Sequence, residues 1–259
     1  MKVPLIGICR HRLTTDGTGV TTLVAFHGCP LSCRYCLNSQ CLRPDGVWQR
    51  LTAEEILQQV IIDDLYFQAT GGGICFGGGE PLLRSDVIAD FCQLCPPEWN
   101  IYMETSLNVP LSRLQQVVPY VDHYYVDVKD LSPDIYRSYC NADNAQVMAN
   151  LGYLAEQGLQ PKVTIRLPLI PGYNSDGDRL SSRRQLEEMG FTDFDEFTYQ
   201  LPKTASAQQN RPYCALFRSF LCLVIQYFVS LPTETSICMP RKQREKSGTT
   251  SKGRVHVSF

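Results

Sequence analysis

Six times along this 259-residue chain a short β-branched or apolar run gives way to a segment of helical period, and that alternation constrains the fold most. Residues 21–27 (TTLVAFH) read as the first such strand. Thr52-Ala53-Glu54-Glu55 then forms a capping-box pattern, opening a helix in which Ile56, Leu57, Val60 and Ile61 keep helical spacing. Further strands are predicted over 74–76, 100–104, 123–129, 162–167 and 194–199, with helices over 84–94, 111–118, 145–157 and 178–189. Alternation of this kind implies a parallel sheet with helical crossovers. Six units fall short of an eight-stranded barrel, which leaves a partial barrel or an open doubly wound sheet. In both, a functional site lies at the carboxyl ends of the strands.

Polar and metal-binding side chains gather at those ends. The first strand runs into His27-Gly28-Cys29-Pro30-Leu31-Ser32-Cys33-Arg34-Tyr35-Cys36, which puts three thiols in one tight loop. Structural zinc sites take four ligands, usually from two C-x2-C-like pairs, and nothing near Cys41 supplies a second pair. A [4Fe–4S] cluster held by three thiolates keeps one iron without a protein ligand, whereas electron-transfer ferredoxins use four cysteines. The spacing therefore suggests a cluster that does chemistry on a bound molecule. Gly78-Gly79-Glu80-Pro81 follows the second strand, Glu104-Thr105 ends the third, Asp127 and Lys129 end the fourth, and Arg166 ends the fifth.

With these motifs in place, residues 7–202 resemble the radical S-adenosylmethionine (SAM) superfamily and, within it, the glycyl-radical-enzyme activating enzymes. The resemblance rests on Asp16-Gly17-Thr18-Gly19, the three cysteines, Gly78-Gly79-Glu80-Pro81, Glu104-Thr105, Asp127-Val128-Lys129 and the run from Arg166 to Gly172. It implies a partial (β/α)6 TIM-like barrel. It also implies one [4Fe–4S] cluster on Cys29, Cys33 and Cys36, whose fourth iron takes the amino and carboxylate groups of SAM. Tyr35 would shield the cluster and line the adenine side. The Gly78 and Gly79 carbonyls, with Glu80, would hold the methionyl ammonium. Glu104, Thr105 and Asp127 would make polar SAM contacts or bind a monovalent cation. Lys129 would meet the SAM carboxylate or ribose, Arg166 the SAM carboxylate or substrate backbone, and Asp16 the substrate peptide.

The implied reaction is reductive cleavage of SAM to a 5′-deoxyadenosyl radical. That radical takes hydrogen from a glycine of a partner glycyl-radical enzyme, with electrons from a flavodoxin or ferredoxin-type donor. A radical SAM enzyme acting on a small molecule, such as a 7-carboxy-7-deazaguanine synthase-like enzyme, is an alternative. So is a cluster-binding protein with impaired catalysis. Glu104 departs from the family's more usual Asp. Cys92 and Cys95 read as structural, His27 as structural, and His11 and His123 show no partner in the sequence.

Composition narrows the setting. A net charge of −2 gives no electrostatic case for nucleic acid or membrane binding. Twelve cysteines in a chain of this length do not read as a secreted disulfide scaffold, and no run reaches the roughly 20 apolar residues of a membrane span. No signal-peptide pattern opens the chain, so a reducing cytoplasm is the expectation. Charge is uneven, since Glu234 and Glu245 are the only acidic residues past position 202. The β-α rhythm also stops there. Relatives usually carry a Leu-Pro-Tyr-His-like segment at this point, but this chain has Leu201-Pro202-Lys203-Thr204. Residues 203–259 are therefore read as an atypical basic segment attached to a 1–202 core, either a replaced terminus or a partner-binding extension.

Overall fold

The structure, a computed structural model, describes residues 1–13 and 15–199. The expectations for the Leu201-Pro202 segment and for 203–259 lie outside the described residues. Six parallel strands carry the sheet: β2 (Val20–Phe26), β4 (Gly73–Gly78), β5 (Asn100–Thr105), β6 (His123–Asp127), β7 (Val163–Leu169) and β8 (Asp193–Thr198). They lie side by side in chain order. A doubly wound sheet reverses its strand order at a switch point; no reversal occurs here. The helices accordingly form one layer, with α1 (Ala53–Val60) packing on α3 (Ser85–Leu94), α3 on α4 (Leu111–Val117), and α4 on α6 (Ala145–Glu156). This is the partial barrel of the two architectures the sequence allows.

Two strands extend the sheet on the β2 side. β1 (Val3–Leu13) pairs antiparallel with β2, and β3 (Gln49–Leu51) pairs antiparallel with β1. Pro4 and Gly7 interrupt the apolar run of β1 in the sequence. Pro4 sits beside Arg50 of the short edge strand, and Gly7 falls at a register irregularity, so neither stops the strand. Proline and glycine are tolerated at such edges and bulges. α5 (Pro133–Cys140) was also missed in the sequence; its first position is a proline, which suits a helix N-terminus. α2 (Asp64–Thr70) and α7 (Asp176–Glu188) complete the helices. The predicted capping box is present: Thr52 Oγ1 accepts from Glu55 N at 3.2 Å, and Glu55 Oε2 accepts from Thr52 N at 2.8 Å.

Side chains alternate along each strand. Tyr124, Val126, Val163, Ile165 and Leu167 join Ile74, Phe76 and Met103 in the core under the helices. The other face carries Tyr102, Glu104, His123, Tyr125, Asp127, Thr164 and Arg166. The inside of the partial barrel is therefore polar, and its chemistry rises toward the strand ends. No helix among the described residues is long and apolar enough to cross a membrane.

Candidate functional site

The cysteine loop leaves β2 and is clamped by backbone hydrogen bonds from several sides. Glu80 N donates to Gly28 O at 2.8 Å, and Gly79 N to Phe26 O at 2.9 Å. Gly28 N donates to Cys41 O at 2.9 Å. On the far side, Ser32 N donates to Cys140 O at 2.9 Å and Arg34 N to Tyr139 O at 3.1 Å. Those two carbonyls are at the end of α5, which Asn141 stops in a left-handed conformation. Helix-terminal carbonyls lack helical partners; here the loop supplies them. The Asn38 Nδ2 amide donates to Gly78 O at 2.9 Å, tying the end of the loop to the glycine turn.

Glycine is required at that turn for the chain's own packing. A Cβ on Gly79 would stand 2.1 Å from Gly28 O, and one on Gly78, whose φ is +99°, would stand 2.7 Å from Phe26 N. The Glu80 side chain is 1% exposed. It accepts from Thr105 Oγ1 at 2.7 Å, Ser106 Oγ at 2.6 Å, Ser106 N at 2.9 Å and Leu82 N at 3.2 Å. Burial raises its pKa, and those hydrogen bonds oppose the shift. Glu80 and Thr105 thus join β4, the turn after it and β5 into one frame beneath the loop.

Cys29, Cys33 and Cys36 are all half-buried. Burial, with the Glu80 charge, pushes the Cys29 thiol up to about 12. A hydrogen bond from the Cys41 thiol pulls Cys36 down to about 6, and one from Cys140 lowers Cys33. Among the described residues no three His, Cys, Asp or Glu side chains converge on a single ion. Three thiols on one firmly seated loop are the donor type that an iron–sulfur cluster takes. Iron binding deprotonates a thiol whatever its resting pKa.

The polar groups predicted from the strand ends fall into two sets. In the first, Lys129 Nζ lies 3.2 Å from Asp127 Oδ2 and donates to Tyr199 Oη at 3.1 Å. Burial disfavours its ammonium, but Asp127, Tyr199 and the neighbouring Cys33 outweigh that and hold its pKa well above the ordinary value. In the second, Arg166 Nη1 donates to Glu104 Oε1 at 2.8 Å, Nη2 donates to Thr15 O at 2.9 Å, and the guanidinium lies over the Tyr125 ring at 4.6 Å. Asp16 is buried beside this group in a two-point pair with Arg12, one contact being Nη2 to Oδ1 at 2.7 Å. Arg166 therefore fastens the Thr15–Asp16 turn to the inside of the sheet. Each of Asp16, Glu104 and Asp127 already has a cationic partner within the chain.

Tyr35 donates to Pro171 O at 3.3 Å and packs edge-on to Tyr139 and Tyr173 at 5.9 and 5.7 Å. The Ile170-Pro171-Gly172 run thus sits against the cysteine loop. His27 Nε2 lies 2.8 Å from Arg43 O, a structural role as expected. His11 and His123 do have partners: Asp63 at 3.2 Å and Thr164 Oγ1 at 2.8 Å. His123 lines a cavity of about 480 Å³ at the amino ends of the strands, opposite the cysteine loop. Sequence reasoning missed Cys140, Ser106 and Tyr199 as neighbours of the site. Ser106 directly follows the Glu104-Thr105 pair, whereas Cys140 at the end of α5 and Tyr199 just after β8 are brought in by the fold alone.

A parallel partial barrel with a three-thiol loop seated at its strand ends defines a class of iron–sulfur protein in which the chain leaves one iron open. The chain belongs to the radical SAM superfamily, whose profile matches residues 23–180. It is 32% identical over 165 residues to the (2S)-3-sulfopropanediol dehydratase activating enzyme of Klebsiella oxytoca, covering 61% of this chain and 51% of that protein. It is 27% identical over 237 residues to the pyruvate formate-lyase 2-activating enzyme of Escherichia coli (strain K12), covering 76% of this chain and 80% of that one. The chain thus spans about half of the first relative and most of the second. Among solved structures, Streptococcus suis SuiB bound to S-adenosylmethionine superposes with a TM-score of 0.52 at 16% identity, over 80% of this chain and 49% of that one. That likeness shows the fold.

Proposed function

We propose that residues 1–202 form the core of an activating enzyme that installs a radical on a glycine of a partner glycyl-radical enzyme. The observation that carries this is the seating of the Cys29–Cys33–Cys36 loop between the Gly78-Gly79-Glu80 turn and the end of α5, at the strand ends of a partial barrel. The kinship with two activating enzymes supports the choice of partner. Held by these thiols, a reduced [4Fe–4S] cluster would supply the electron for reductive cleavage of SAM, and the resulting 5′-deoxyadenosyl radical would take the glycine hydrogen.

The chain's part is to bind, orient and exclude water. Cys29, Cys33 and Cys36 would hold the cluster. Peptide groups of Gly78 and Gly79 would receive the SAM ammonium, while Glu80 and Thr105 hold that turn in shape. Lys129, kept charged beside Cys33, would take the carboxylate. Tyr35, packed on Tyr139 and Tyr173, would wall the adenine side. Arg166 and Asp16 would fix the turn that a substrate loop passes. Arg166 at Glu104 and Lys129 at Asp127 supply the positive charge where a monovalent cation could otherwise sit. The described sheet ends at β8, an edge through which a loop of a second protein could reach the polar interior. Electrons would come from a flavodoxin or ferredoxin-type carrier.

The test is anaerobic. The reconstituted, reduced protein is incubated with SAM and candidate glycyl-radical enzymes, then assayed for 5′-deoxyadenosine and for a glycyl radical by EPR. Both are expected. SAM cleavage that leaves no radical on any such enzyme would overturn the activase reading and favour a small-molecule substrate. No cleavage at all would overturn catalysis.

A further inference from the structure

The buried thiol of Cys140 lies 3.8 Å from Cys33 Sγ, in sulfur hydrogen-bonding range, at the end of the helix whose last carbonyls seat the cysteine loop. Resting on the cluster reading above, we propose that Cys140 is a positioning residue that donates its S–H to Cys33 and thereby sets the reduction potential of the cluster.

The direction of the bond follows from proton count. Cys33 has no proton once it ligates iron, so the hydrogen between the two sulfurs must be that of Cys140. The neighbours aim it. The Tyr136 hydroxyl accepts from Asn108 Nδ2 at 3.0 Å, which leaves its own hydrogen for the neighbouring Cys140. Asn108 Nδ2 is itself fixed by Asp143 O at 2.7 Å. With the Tyr136 hydrogen directed at Cys140 Sγ, the one hydrogen of Cys140 is left for Cys33. Helix α5 is stopped one residue later at Asn141, and Cys140 is fully buried, so water does not compete for the bond. Nor is Cys140 placed as a fourth ligand. Two sulfurs this close crowd one corner of a cubane rather than serving two separate irons.

The energetic consequence has a definite sign. Reduction adds negative charge that spreads onto the thiolate sulfurs. A donor to one of those sulfurs stabilises the reduced form more than the oxidised form, and hydrogen bonds to cluster sulfurs are among the determinants of potential. Cys140 therefore makes the cluster easier to reduce, which is the step that precedes SAM cleavage.

The experiment uses full-length protein, reconstituted anaerobically, as wild type, Cys140→Ala and Cys140→Ser. Iron and sulfide are counted first, and the midpoint potential is then read by EPR-monitored titration. Cys140→Ala should move the potential to a more negative value. Cys140→Ser, which keeps a donor in a smaller side chain, should stay with wild type. A packing role would instead make Ser and Ala behave alike. In the wild type and Cys140→Ser, but not in Cys140→Ala, electron–nuclear double resonance of the reduced cluster should show a proton coupling that is lost after exchange into deuterium oxide. Equal potentials in all three proteins, Ser tracking Ala, or the absence of that exchangeable proton would overturn the inference. A wild type that assembles no cluster would overturn the cluster reading, and this inference with it.

Discussion

Glu80→Ala is the substitution whose consequence the structure specifies most fully. The carboxylate accepts two hydroxyls and two backbone amides. Counting four charge-assisted bonds at full value would overshoot, because burial penalises the same charge, as its raised pKa records. The better measure is what the truncation leaves behind. The hydroxyls of Thr105 and Ser106 can rotate toward other acceptors, but the amides of Ser106 and Leu82 are fixed. Two orphaned donors cost about 1–3 kcal/mol each, so the loss is about 2–6 kcal/mol. Urea unfolding of cluster-free protein reads this directly. With a slope of about 2 kcal/mol per molar urea, the midpoint should fall by about 1–3 M. Glu80→Gln keeps one oxygen and should fall by less. A midpoint shift below about 0.5 M for Glu80→Ala would refute the claim that this carboxylate is the frame of the glycine turn.

Arg166→Gln leaves Glu104 half-buried without its 2.8 Å partner, and should lower stability by about 1–3 kcal/mol, or roughly 3–10 °C in melting temperature. Adding Glu104→Gln should restore part of that loss; strict additivity of the two would argue against the pair. Because Arg166 and Lys129 already neutralise Glu104 and Asp127, replacing potassium and sodium by choline should leave SAM cleavage unchanged, and a several-fold loss would place a cation there instead. Burial lowers the His123 pKa below its ordinary value of 6.5, with Asp193 opposing. Between the lowered native pKa and 6.5 the unfolded chain binds a proton that the native chain does not, so stability falls as pH drops through that window. Melts at pH 7.5 and 5.5 should show a smaller acid loss in His123→Gln than in wild type.

The parallel sheet was legible because most of its strands are short apolar or aromatic runs; β8, DFDEFT, carries only Phe194 and Phe197 as apolar residues. Their predicted bounds lie within about two residues of those observed. What alternation could not decide was partial barrel against doubly wound sheet, since both read β-α-β; strand order is a property of pairing, not of period. β1 was hidden by Pro4 and Gly7, which an edge-side strand tolerates. The three-thiol loop was legible from its spacing. Its supports were not: Cys140 lies more than a hundred positions from Cys33, and only the β6–α5 crossover brings them together. Charge pairing was hidden for the same reason. Nothing in the spacing pairs the site's carboxylates with arginines; the fold shows Asp16 held by Arg12 and Glu104 by Arg166.

The clamps on the cysteine loop have a consequence for assembly. Phe26, Gly28 and Cys41 on one flank, and Tyr139 and Cys140 on the other, fix the loop through main-chain bonds that owe nothing to iron. In small zinc domains the metal's binding energy is the folding energy, and chelation unfolds the chain. Here the ordering of the loop is already met by the barrel. Metallation then resembles filling a standing socket: stripping the iron should spare the tertiary structure, and empty protein can wait, folded, for its cofactor to be delivered.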